Sequence, residues 1–230
     1  MESLINKEIS PRPEKPQPKI YLPEVREILE NNVFLKWGLQ QLEGINDGGN
    51  TLRHTQCVTN CGYLLAKHLA EKNNLSSEDI ELFVEICLLH DIGKIKTPAS
   101  ILTKPWKEFT EDDRKIVSEH VREGKEILKT QGCSPRVYNP VLLHHEFQEK
   151  SYPEIDIEAA DFEDEDIDNA RLLAIIDVFD RMAFGATNIE TLPKEDWKPK
   201  LMKQFNQPED ERIIDFLISQ YEAIRGLSES

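Results

Sequence analysis

The chain has 230 residues, room for one large domain or two small ones. Its 43 acidic and 28 basic residues give a formal net charge of -15. That balance excludes a protein that wraps a nucleic-acid polymer, because such binding rests on Lys and Arg neutralising phosphates.

In chain order, residues 1–22 contain PRPEKPQP and read as a proline-rich tail or linker with extended backbone. Residues 23–230 then read as one helical domain. Val25, Ile28, Leu29 and Val33 recur at helical spacing, and Leu35, Leu39 and Leu42 make a second stripe. NDGGN at 46–50 breaks the pattern, and a long helix follows over about 51–73. Ser76 or Ser77 offers an N-cap for a helix that runs through EICLLHDIGK and ends at His90–Asp91. Thr110 caps the next predicted helix, EDDRKIVSEHVREGKEILK, whose buried face is Ile116, Val117, Val121, Ile127 and Leu128. Ser134–Pro135 opens another, in which Pro140 precedes VLLHHEF. The run EIDIEAADFEDEDID, 154–168, holds no basic residue and reads as a solvated acidic loop, with an acidic lid as the alternative. ARLLAIIDVFDRMA is apolar on nearly every side and predicts a central helix. A last helix over about 208–225 is expected to end at Gly226. No strand pattern competes, so the predicted fold is all-α. No apolar run reaches the roughly 20 residues that span a bilayer, so no membrane partner is expected. Four cysteines without scaffold spacing and a start lacking a secretory apolar core suggest the cytoplasm.

Five of the six histidines fall on inner faces or ends of apolar helices: His54, His90, His120, His144 and His145. Asp91 follows His90 directly, and Asp177 interrupts LLAIIDVF. An unpaired buried charge is very unfavourable, so such groups are usually paired or bind a metal. Together they offer imidazole and carboxylate donors for two transition-metal ions. Cys57 and Cys61 share a helix face with His54 and read as core thiols, or as a zinc site with it. His68 reads as a surface residue. Asp180 reads as an acceptor for a ligand or a helix-surface acid, with a ligand role as the minority alternative. Glu146 could orient a histidine or lie exposed. Trp106 and Phe109 read as loop anchors, or as rings that stack on a base at a site mouth.

HDIGKIKTPASILTKPWKEFTEDDRKIVSEHVREGKEIL, LLHHEFQEKSYP and ARLLAIIDVFDRM resemble, in order and spacing, the HD-domain metal-dependent phosphohydrolases, and in particular their HD-GYP branch. The resemblance covers about residues 50–185. It implies a multi-helix HD bundle around a binuclear site, with metal binding by His54, His90, Asp91, His120, His144, His145 and Asp177. Asp91 would bridge two divalent ions, Fe or Mn by preference and Zn or Ni also suited, and Lys94 would contact the substrate phosphate. Asp91 and Lys94 are thus the candidate catalytic residues. The implied activity is metal-dependent hydrolysis of a small phosphorylated substrate, a nucleotide or cyclic dinucleotide, with a phosphodiester favoured over a phosphomonoester. A non-catalytic metal-containing nucleotide sensor is the alternative.

The chain departs from that branch in two places. The family's Asp-Gly and Gly-Tyr-Pro loop reads EFQEKSYP here, with Ser151 in place of glycine. The basic stretch after the late aspartate is replaced by AFGATNIETLP. Cyclic di-GMP is accordingly expected to be a poor substrate. Some members hold a third ion with a carboxylate one turn before the first histidine. Asn50 stands there, which implies two ions.

Overall fold

A computed structural model describes residues 21–73, 75–157, 160–185 and 191–229. The described residues form α-helices joined by two short 3₁₀ turns and contain no strand. None of these helices is long and apolar enough to cross a membrane. The helices are α1 (Pro23–Asn31), α2 (Val33–Glu43), α3 (Asn50–Asn73), α4 (Ser77–Leu89), α5 (Ala99–Leu102), α6 (Glu111–Ser118), α7 (His120–Thr130), α8 (Pro135–Leu143), α9 (Asp164–Phe184), α10 (Lys194–Gln204) and α11 (Asp210–Glu229). The 3₁₀ turns are Ile92–Lys96 and Trp106–Glu108.

The helix starts follow from local capping chemistry. Asp47 precedes α3 and accepts from the Asn50 N–H at 3.0 Å and the Thr51 N–H at 2.8 Å. Gly48 and Gly49 turn the chain between them at φ +74° and +79°, where glycine has no side-chain penalty. Ser76 and Asp79 close a reciprocal capping box at α4, and Thr110 and Asp113 do the same at α6. Ser134 caps α8 ahead of Pro135, and Pro140 lies within that helix.

Helices α3, α4, α8 and α9 pack on one another and carry the centre of the core. Val58, Leu65, Leu88, Leu89, Val141, Leu143, Leu173, Ile176 and Phe179 are fully buried there. Helix α9 is buried along most of its length, from Leu173 to Asp180 without interruption. Helices α10 and α11 cover its outer side, and α1 and α2 lean on α3 and α4. Helix α7 packs against α8 and against the 3₁₀ turn that follows α4.

Several expectations are corrected. Tyr21 is buried and the Leu22 N–H donates to Asn60, so the domain claims the last two residues assigned to the tail; 1–20 lie outside the described residues. Asn32 ends α1 and caps α2 with its side chain, which turns Val33 out of the expected stripe to 81% exposure. The helix predicted after Thr110 is two helices, broken between Ser118 and His120; Ile116 is 42% exposed and Val117 half-buried. The acidic loop is shorter than read, since Asp164, Glu165 and Asp166 form the first turn of α9, where acids complement the helix dipole. Asp166 is buried and accepts from the Asn139 amide at 2.7 Å. Gly226 does not end the last helix, which runs on to Glu229.

One contact sets how the 3₁₀ turn meets α7. A Cβ on Gly93 would lie 1.9 Å from the His120 carbonyl oxygen and 2.6 Å from the Gly124 nitrogen, both backbone atoms that cannot swing aside. Gly93→Ala should therefore destabilise the fold by roughly 3 kcal/mol or more, as overpacking does at its upper end, and lower the urea unfolding midpoint accordingly. Gly226→Ala, exposed inside α11 with nothing within 4 Å, should raise stability by roughly 0.5–1 kcal/mol. Equal effects from the two substitutions would contradict this packing.

Candidate metal centre

Three of the candidate histidines stand where a helix stops. His90 follows the last residue of α4, His144 follows the last residue of α8, and His120 starts α7 just past the end of α6. The last carbonyls of a helix have no partner within it. Each of these rings supplies one: Nδ1–H donates to the carbonyl three residues back, His90 to Cys87 at 2.8 Å, His120 to Val117 at 2.7 Å and His144 to Val141 at 2.8 Å. A carbonyl oxygen only accepts, so the proton is fixed on Nδ1 and the lone pair on Nε2, which points away from the helix end. The break between α6 and α7 is what allows His120 to do this.

His54 comes from the first turns of α3 and is oriented by a carboxylate instead. Its Nδ1–H donates to Asp180 Oδ2 at 2.6 Å, and Asp180 is buried on α9. The His54 Nε2 then lies 3.1 Å from His90 Nε2 and 3.1 Å from Asp177 Oδ1. Both rings donate through Nδ1, so in their neutral forms two lone pairs face each other. That arrangement calls for a cation between them or a proton on one ring. Burial pulls the His54 imidazole down, but Asp180 and Asp177 outweigh it and raise the group to about 9.

Asp91 lies between two groups of donors. Its Oδ1 is 3.3 Å from His120 Nε2, while its Oδ2 is 3.5 Å from His90 Nε2 and 3.7 Å from His54 Nε2. The donor atoms of His54, His90 and Asp91 lie within 4.8 Å of one another, and so do those of His120, His144 and His145. All six side chains are buried, and His120 Nε2, His144 Nε2 and His145 Nδ1 have no hydrogen-bond partner. Such orphaned buried nitrogens fit a metal centre. Burial would raise Asp91, but Lys94 and the surrounding imidazoles hold its carboxyl well below the usual range. Burial pushes the His120 imidazole down to about 4, and lowers His90, His144 and His145 as well.

Asp177 completes the set from α9. Its Oδ1 faces His54, and its Oδ2 accepts from the Gln148 amide at 2.7 Å and from Arg181, with His145 Nδ1 3.9 Å away. Arg181 also donates to Gln148 Oε1 at 2.9 Å. Sequence reading missed both partners, although Arg181 stands one helical turn past Asp177, where an i, i+4 ion pair forms. Lys94 Nζ sits 2.5 Å from Asp91 Oδ2, its side chain 18% exposed.

The centre opens into a cavity of about 570 Å³. His54, Asp91, His120, His145 and Asp177 form its floor, Tyr152 stacks on His145 with ring centroids 4.4 Å apart, and Lys94, Arg114 and Arg181 bring positive charge to its walls. The other candidates fall elsewhere. Glu146 accepts from the Ile155 N–H at 2.9 Å, securing the following loop rather than a histidine. Cys57 and Cys61 are buried and join neither donor group. His68 is half-buried against Phe216, with ring centroids 4.1 Å apart.

These shifts give a pH signature for the metal-free protein. The unfolded His120 binds a proton near 6.5 and the folded one only near 4, so its contribution is full above about 6.5 and is lost as pH falls through 4. His54 works the other way, its contribution present below 6.5 and lost as pH rises through about 9. Urea midpoints of chelator-treated protein should therefore fall on both sides of neutrality, and a midpoint unchanged from pH 7 to pH 4.5 would contradict the buried neutral imidazoles.

Residues 51–182 match the family model described as HD domain. The chain is 32% identical over 167 residues to the cyclic di-GMP phosphodiesterase response regulator RpfG of Xanthomonas campestris pv. campestris, covering 69% of this chain and 42% of that protein. It is 27% identical to the 3'3'-cGAMP-specific phosphodiesterase 2 of Vibrio cholerae serotype O1, covering 69% of this chain and 30% of that protein. The chain thus spans less than half the length of these relatives. Its fold is similar to that of the HD domain of the phosphodiesterase PgpH of L. monocytogenes, solved in complex with cyclic-di-AMP. The TM-score is 0.57 at 20% identity, covering 81% of this chain and 96% of that one. With more than half of its residues matched by the family model, the chain belongs to the HD domain family.

Proposed function

We propose that this chain is a metal-dependent phosphodiesterase acting on a cyclic dinucleotide. The observation that carries the reading is the set of buried imidazoles whose Nδ1 protons are fixed, or whose nitrogens lack partners, around Asp91 and Asp177 at the floor of an open cavity. HD domains are metal-dependent, and the relatives' names supply the substrate class. His54, His90, Asp91, His120, His144, His145 and Asp177 would hold two divalent ions, with Asp91 shared between them. Fe or Mn suits this mixed nitrogen and oxygen set, as do Zn and Ni. Bound ions would supply an activated water and neutralise phosphate oxygens.

The residues of the chain do the rest. Asp180 holds His54 in the tautomer that faces the centre, and the three helix-end carbonyls do so for His90, His120 and His144. Arg181 and Gln148 occupy Asp177 Oδ2 and leave Oδ1 to the centre. Lys94 sets a positive charge at the cavity wall, where it stabilises negative charge that develops on a phosphoryl oxygen.

Two sets of measurements test this. Protein loaded with Mn or Fe should bind two ions per chain and convert a cyclic dinucleotide to linear product, with cyclic di-GMP a poor substrate beside 3'3'-cGAMP and cyclic di-AMP. Binding of these ligands by the metal-loaded chain without turnover would instead favour a metal-containing sensor, and efficient cleavage of cyclic di-GMP would reverse the specificity. Among variants, His90→Ala and Asp91→Ala should lose metal and turnover together, whereas Lys94→Ala should keep its metal and turn over more slowly. Asp180→Asn should lower activity roughly 10- to 100-fold, as loss of an orienting carboxylate does. Metal loss in Lys94→Ala would show that the roles are misassigned.

A further inference from the structure

The cavity has a rim that the metal centre does not use. Trp106 is 45% exposed there, whereas the other aromatic side chains among the described residues are buried or half-buried. It sits on the 3₁₀ turn Trp106–Glu108. Phe109 packs beside it with ring centroids 4.8 Å apart, and the Arg114 guanidinium lies 4.4 Å from the Trp106 ring centre. Trp106, Phe109 and Arg114 all line the same cavity as His54, Asp91 and Lys94. The turn is secured on both sides. Lys104 Nζ meets Asp113 Oδ2 at 2.5 Å, and the Thr110–Asp113 capping box fixes the start of α6. Arg114 follows Asp113 directly, so the residue that carries the guanidinium is next to the one that ties the turn to the start of α6.

The arrangement has a chemical direction. Cation–π contact with a guanidinium keeps a cation against the indole. Nucleobases stack on aromatic rings and on guanidinium planes alike, and the stacking tolerates different bases because each has a π-face. An anchor that only held the loop would be covered, whereas this ring is open to the space above the metal centre. The volume of about 570 Å³ lies within the range of roughly 300–1,000 Å³ of small-molecule sites.

Resting on the phosphodiesterase reading above, we infer that Trp106 and Arg114 form a stacking platform for a nucleobase of the substrate, while the phosphodiester lies at the metal centre. The platform fixes which end of the ligand is anchored and selects nucleotides over simple phosphodiesters. Trp106 is thus a binding residue that contributes to KM, and Phe109 backs it.

The test uses the metal-loaded chain with Trp106→Ala and Trp106→Phe. Tryptophan emission is followed while AMP and GMP are titrated in, and KM and kcat are measured on whichever cyclic dinucleotide the wild type hydrolyses. The wild-type emission should be quenched, and the quench should vanish in Trp106→Phe, where Trp37 and Trp197 still emit. Trp106→Ala should raise KM roughly tenfold, in line with the loss of one base stack, with kcat held within about twofold, and Trp106→Phe should recover most of the KM. An unquenched wild type, a quench that survives in Trp106→Phe, or an unchanged KM in Trp106→Ala would overturn the platform. If the wild type hydrolyses no cyclic dinucleotide, the proposed activity falls, and the mononucleotide titration alone decides the platform.

Discussion

At three helix ends of this protein a histidine ring takes the place of the missing next turn. His90, His120 and His144 each donate Nδ1–H to the carbonyl three residues behind them, at 2.7–2.8 Å. A terminal carbonyl buried without a partner would cost free energy comparable to a lost hydrogen bond. The same bond that satisfies it fixes the imidazole tautomer and the ring direction. Helix termination and donor orientation are therefore one interaction, and the geometry at the centre depends on where α4, α6 and α8 stop.

That dependence explains why the surroundings are so tightly built. The 3₁₀ turn after α4 has to bring Asp91 between the two groups of donors while lying against α7, and only a residue without a Cβ fits at Gly93. On the opposite side α9 contributes three consecutive functions at one helical face or its edge: Asp177 toward His54, Asp180 behind His54, and Arg181 onto Asp177. A carboxylate on a core helix is held charged by an arginine one turn away, burial being outweighed by the Arg181 and His54 charges. Each buried acid at the centre thus has an assigned cation or N–H donor, which is the condition for retaining it in a core.

Much of this was legible in the sequence because the polar residues interrupt apolar runs at places where no bland reading serves five histidines and two aspartates at once. The all-α fold followed from periodicity, and the caps at Ser76, Thr110 and Ser134 from side chains that accept from free N–H groups. What stayed hidden depends on distance in space. Helical spacing predicted one helix through EDDRKIVSEHVREGKEILK, since nothing local reveals that His120 bonds to Val117 and restarts the helix. Gln148 reaches Asp177 from 29 residues away, which no local pattern signals. Asp166 reads like its solvated neighbours in sequence because its partner, Asn139, lies on another helix.

The charge distribution reconciles an acidic protein with an anionic ligand. The net charge of -15 belongs to the chain as a whole and is densest in the acidic run 154–168, and charges farther than about 8 Å act weakly through physiological salt. Inside the cavity the balance is local: Lys94, Lys104, Arg114 and Arg181 line it, and burial of the histidines keeps several of them neutral and able to donate lone pairs. Lys115 and Lys150 line it too, so the cations outnumber the acids Asp91, Glu111, Glu154 and Asp177 in the same lining, and low-dielectric walls strengthen what remains of their field. A polymer would have to lie across the acidic exterior as well, whereas a compact phosphodiester meets only the cavity. The composition that argues against a nucleic-acid polymer is therefore compatible with the small nucleotide proposed above, at a cavity where, among the described residues, cations, aromatic rings and buried imidazoles converge.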